Sequence, residues 1–172
     1  MAQVKGKDAS EAQSGRFPAV GNLAPEFTLQ RLDGSELTLS EMQDEVLLLC
    51  LVNDFEEHAA QELIKRLTEG AAALPQLRIL LVSAVEPANA ESLTKFLDTE
   101  GQEGRLLLLC CSSPQCSFAQ DYGVATSAGR LPQALLLIDK EGYVVYTERC
   151  AGQNRTLDPF LALLCAKSCL NN

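Results

Sequence analysis

The stretch Val46–Leu67, VLLLCLVNDFEEHAAQELIKRL, changes its periodicity in the middle. Val46–Val52 is a continuous apolar run, as in a strand covered on both faces. Asp54 then reads as a helix N-cap, with Glu57 three residues on in a capping-box-like arrangement. Beyond it Ala60, Leu63, Ile64, Leu67, Ala71 and Leu74 fall at helical spacing until Pro75. A buried strand feeding an amphipathic helix is the unit from which α/β domains are built.

Working outward, Leu77–Val85 reads as a second buried strand. Ala90, Leu93, Phe96 and Leu97 mark the inner face of the next helix, and Arg105–Leu109 is a third strand. Cys110–Tyr122 is less regular and includes a short helix. Ala134–Asp139 and Tyr143–Glu148 are strands joined by the tight turn Lys140-Glu141-Gly142. The last helix starts near Asp158-Pro159, with proline at the first helical position, and its apolar residues Phe160, Leu161, Leu164 and Cys165 face the core. Upstream, Phe27–Leu32 and Glu36–Leu39 flank Asp33-Gly34 as a hairpin. Residues 1–16 are polar and small and read as a flexible N-terminal arm, with 17–172 a single domain. The order is a hairpin, then β-α-β-α-β with a short helix, then two antiparallel strands and a helix. It predicts an α/β fold with a mixed sheet.

The chain has 172 residues, enough for one full core, and a net charge of −9. That field repels nucleic acid and anionic membranes, so neither is an expected partner. The longest apolar runs are too short to cross a bilayer, and the first residues lack a signal-peptide core; a cytoplasmic location is expected. Seven cysteines with one histidine, and no pair at two-residue spacing, leave no zinc ligand set. Dinucleotide, P-loop and hydrolase signatures are missing, so no metal and no cofactor is expected. Without a secretion signal the cysteines are expected as thiols.

Two features invite chemistry. His58 stands at the helix start, as a general base or ligand would. On a helical wheel it lies opposite the apolar stripe, beside Glu62, Lys65 and Glu69, and the favoured reading is a solvated histidine paired with Glu62. In LLCCSSPQCSF, Cys110, Cys111 and Cys116 sit at a strand end and in the loop after it. Cys111 and Cys116 are close enough in sequence to pair as a relocated redox couple. The favoured reading is one core thiol and two spectators. Cys50, inside a strand, reads as a small hydrophobe, and Cys150, Cys165 and Cys169 as filling.

Three longer segments carry a family likeness. Val20–Met42 (VGNLAPEFTLQRLDGSELTLSEM), Phe118–Ala125 (FAQDYGVA) and Ala134–Glu148 (ALLLIDKEGYVVYTE) resemble landmarks of the peroxiredoxins. The spacing is most similar to the bacterial thiol peroxidase branch of atypical two-cysteine members. The resemblance implies a thioredoxin-like, peroxiredoxin-type mixed sheet flanked by helices, with an N-terminal β-hairpin. It also implies a homodimer and, where a member is redox active, thioredoxin as a partner. GRLPQ at 129–133 resembles the proline before this strand in thioredoxins, with Pro132 one residue early.

The same resemblance implies a lost site. The family carries Asp-Thr-Pro-x-Cys at the first helix. Aligned on Asp54 and Gln61, Phe55 takes the threonine position, Glu56 the proline and His58 the peroxidatic cysteine. Leu97 takes the resolving cysteine position and Gln133 that of the activating arginine. No catalytic residue is thus expected at family positions, and a non-catalytic member with a binding or regulatory role is expected. The alternative is a thiol-dependent peroxidase or redox protein using Cys111 and Cys116, or Cys110. An arginine beside that loop, Arg105 or Arg130, would support it.

Overall fold

The computed structural model describes residues 16–85, 88, 91, 95, 105–112, 116–124, 131–150 and 157–172. The N-terminal hairpin is β1 (Thr28–Arg31) and β2 (Glu36–Thr38), followed by a 3-10 turn at Leu39–Met42. Then come β3 (Leu47–Val52), α1 (His58–Ala71), β4 (Arg78–Ser83) and β5 (Leu106–Cys110). The chain continues as α2 (Phe118–Asp121), β6 (Ala134–Ile138), β7 (Val144–Arg149) and α3 (Phe160–Leu170). The strands form one sheet in the order β2-β1-β5-β4-β3-β6-β7. β3, β4 and β5 are parallel, and antiparallel pairs flank them on both sides. The mixed sheet expected from the element order is present.

Each central strand is covered on both faces, and alternation sorts its side chains between them. Leu48, Cys50 and Val52 join the core under α1 and α3, with Leu63, Ile64, Leu67, Ala162 and Ala166. Leu47, Leu49 and Leu51 join the opposite core, with Phe27, Phe118, Tyr122 and Leu131. There Phe118 and Tyr122 stack at 4.4 Å, and Phe27 meets Phe118 edge-on at 5.8 Å. The buried Tyr122 hydroxyl donates to the Pro25 carbonyl at 2.7 Å, tying α2 to the chain before β1.

Three local expectations need correction. The N-cap of α1 is Glu57, not Asp54, and no side chain caps the helix. Asp54 is occupied elsewhere: its carboxylate accepts the Glu56 amide at 3.0 Å, and Asn53 donates to the Glu57 carboxylate at 3.0 Å. These bonds close a turn that delays the helix to His58. Pro159 is the N-cap of α3 rather than its first helical residue. Phe160, Leu161 and Leu164 face outward, 62%, 57% and 48% exposed, while Ala162 and Ala166 face the core with Leu163 and Cys165 packed beside them.

The helix expected over Ala90–Leu97 has its apolar marks outside the described residues, as does the arm up to residue 15. No cis peptide occurs among the described residues, so the Leu131–Pro132 bond is trans. No described helix is long and apolar enough to cross a membrane.

Arg105 has a structural task. Its Nη2 donates to the carbonyls of Ala71 at 2.7 Å and Leu74 at 3.1 Å, at the C-terminal end of α1. Both carbonyls also accept backbone amides, from Leu74 and Leu77, and a cation there opposes the negative helix end. Arg105→Met is expected to cost about 1.5–3 kcal/mol, read as a lower urea midpoint at unchanged slope.

Candidate functional site

The carboxyl ends of β3, β4 and β5 lie side by side, with Val52 opposite Ser83 and Ser83 opposite Cys110. Open α/β sheets bind ligands at this edge. Asn53 organises it. Its carbonyl accepts the Ala84 amide and the Ser83 hydroxyl, each at 3.2 Å, and its Oδ1 accepts the Leu131 amide at 3.3 Å. Sequence reasoning passed over Asn53; its signal is a polar residue placed directly after a seven-residue apolar run.

In the turn that follows, Phe55 is fully buried in the core under α1 and α3. Glu56 and His58 are exposed, and His58 is the first residue of α1. The expected His58–Glu62 pair does not form; Glu62 lies 3.8 Å from Arg66 instead. Gln133 precedes β6, where its carbonyl accepts the Cys150 amide at 2.9 Å and its buried Oε1 has no partner. Leu97 lies outside the described residues. The stretch 53–59 contains no thiol. The preceding cysteine, Cys50, is fully buried, and burial pushes its thiol up to about 12. A thiol so protonated is no nucleophile.

Two strands away, Cys111 and Cys116 are disulfide-bonded, with Cα atoms 5.6 Å apart. This corrects the expectation of thiols throughout and of two separate spectators. Cys111 follows β5, and its amide donates to the Ser83 carbonyl at 2.9 Å. Both cysteines are half-buried against the Phe27–Phe118–Tyr122 side of the sheet. Cys110 is not part of this arrangement, because alternation turns it into the core under α1 and α3. Arg105 is no neighbour of the pair either. It precedes β5, whereas Cys110 and Cys111 lie at the strand's far end, and its guanidinium is committed to α1. Arg130 lies outside the described residues.

Among the described residues, no group of three His, Cys, Asp or Glu side chains could hold a metal ion. A cavity of about 480 Å³ opens at the opposite end of the sheet, beside Met42, Leu47, Ile138 and Glu141. It is remote from both the turn before α1 and the disulfide.

A mixed sheet flanked by helices, with a strand-to-helix turn at its carboxyl edge, is an architecture that redoxins share. Residues 19–161 match the Redoxin family, and the chain belongs to it. Within the peroxiredoxin superfamily it falls in the bacterial thiol peroxidase branch. It is 30% identical over 152 residues to the thiol peroxidase of Mycobacterium tuberculosis, a match spanning 86% of this chain and 88% of that protein. Among solved structures, a thiol peroxidase from Chromobacterium violaceum superposes with a TM-score of 0.74 at 20% identity, over 92% of each chain. A peroxiredoxin-like protein from Aquifex aeolicus superposes at 0.73, also at 20% identity, over 88% of each. The fold is thioredoxin-like, as the resemblance implied.

Proposed function

We propose that this redoxin has lost peroxide reduction at the turn before α1 and that its scaffold serves binding or regulation. The observation that carries this reading is the pair Phe55 and His58, one fully buried and one exposed. By the resemblance, matched on Asp54 and Gln61, they take the threonine and peroxidatic cysteine positions. An aromatic ring sits where a small hydroxyl would shape a pocket. An imidazole cannot accept oxygen from a peroxide to form the sulfenate on which the chemistry depends. Glu56 in the proline position and Gln133 in the arginine position remove pocket shape and positive charge. A cytoplasmic homodimer is part of the proposal, by analogy with the family.

The Cys111–Cys116 disulfide favours a second reading, a peroxidase whose redox pair has moved. Thioredoxin-coupled hydroperoxide consumption separates the two. The first reading expects no turnover above background from the wild type. Turnover abolished by joint Cys110→Ser, Cys111→Ser and Cys116→Ser replacement would establish the second. Turnover that survives that replacement but is lost in His58→Ala would overturn both.

A further inference from the structure

We propose that Cys111 and Cys116 form a thiol–disulfide exchange site whose substrate is a dithiol. The inference goes beyond the proposed function, because it requires no peroxide. The bond joins residues five apart in sequence. A ring that short restrains the unfolded chain less than a long one does. The surrounding fold rests on other contacts as well. β5 is paired on both edges, Phe118 and Tyr122 stack, and the Tyr122 hydroxyl is anchored on Pro25. Both cysteines are half-buried, with exposed Ser112 and Ser117 beside them, which leaves the bond open to a thiolate from solvent.

The sheet isolates the pair from the other thiols. Cys50, Cys110 and Cys150 are buried in the core under α1 and α3, and Cys165 and Cys169 pack against that same core. The disulfide lies on the opposite side, against the Phe27 cluster. The exchanging thiol therefore comes from outside the chain. The location is also connected: Cys111 is bonded to Ser83, and Ser83 to Asn53, along the edge that leads to α1.

The exchange balances with a dithiol alone. One thiolate of the donor attacks one sulfur of the bond, forming a mixed disulfide, and the other cysteine leaves as a thiolate and takes up a proton. The donor's second thiolate then attacks the mixed disulfide and releases the remaining cysteine, which is protonated in turn. Two electrons and two protons pass to the chain, and the donor departs as a disulfide. The reverse direction oxidises a dithiol.

The test equilibrates the full chain across ratios of reduced to oxidised dithiothreitol. Thiols are blocked with iodoacetamide in the folded state, and the labelled peptides are mapped by mass spectrometry. Cys111 and Cys116 are expected to gain label together in one two-electron transition, with the far-UV circular dichroism retained and Cys50 unlabelled. Cys116→Ser treated with oxidised glutathione is expected to hold one glutathione on Cys111, whereas the reduced wild type returns to its internal disulfide and holds none. Labelling of the pair only on unfolding would overturn the proposal, as would independent labelling of the two sites. Glutathione held on another cysteine in the variant would also overturn it. Should Cys116→Ser fail to fold, wild-type labelling decides alone. Peroxide turnover, measured separately, is untouched by either result.

Discussion

Phe55→Ala is expected to lower the unfolding free energy by about 3–5 kcal/mol, the range for deleting a buried aromatic ring. The side chain is fully buried in the core under α1 and α3. Its backbone belongs to a turn fixed on both sides, by Asp54 on the Glu56 amide and by Asn53 on Glu57. A turn so held has little freedom to collapse into the space a lost ring leaves, which places the cost in the upper part of the range. The comparison residue is His58, three positions on and exposed, whose replacement by alanine is expected to fall within about 0.5 kcal/mol of wild type. Urea unfolding of both variants reads the difference directly. A cost below about 1 kcal/mol for Phe55→Ala would mean that the ring does not pack in the core under α1 and α3 as described.

Gly123→Ala is expected to cost more than about 2 kcal/mol, a fall of roughly 4–8 °C in Tm for a chain of this length. Gly123 has φ 62°, and a Cβ there would run into the backbone of Arg16 and Phe17. Backbone cannot turn aside as the end of a side chain can, so the chain at Arg16 and Phe17 would have to move off α2. Gly123→Asn separates the two causes. Asparagine tolerates the left-handed conformation but still carries the Cβ, so it is expected to give no rescue. Recovery of wild-type Tm in that variant would show the clash to be unimportant.

The strands were legible because their apolar runs are long and their ends are marked. Val46–Val52 stops at Asn53, and Ala134–Asp139 turns through a glycine at φ 89°. The face of α3 was not legible. Its residues are apolar almost all the way round, so periodicity assigns no direction. Packing assigns it instead: a Cβ on Gly70 of α1 would collide with the Leu163 side chain, so the two helices approach closely. At that approach Ala162 and Ala166 fit the core, and the larger Phe160, Leu161 and Leu164 are left outside. The start of α1 was misplaced for a different reason. Asp54 can cap a helix or close its own turn, and the Asn53–Glu57 contact favours the turn.

The candidate site was legible in part. Cys111 and Cys116 could be singled out by spacing, but not their bond, which depends on how the end of β5 meets α2. Strand alternation was enough to separate Cys110 from Cys111, once β5 was known to continue to Cys110. Arg105 could not be assigned from sequence, because its partners, Ala71 at the end of α1 and Leu74 just after it, lie more than thirty residues away.

No thiol of this chain is expected to show peroxidatic reactivity, and the turn before α1 holds none. The most direct measurement is single-turnover oxidation, since this needs no reducing partner. Fully reduced protein is mixed with one equivalent of hydrogen peroxide, and each cysteine is followed in time by quenching, alkylation and peptide mapping. Every cysteine is expected to oxidise no faster than free cysteine. A cysteine oxidised orders of magnitude faster, with sulfenate formed before any disulfide, would contradict it.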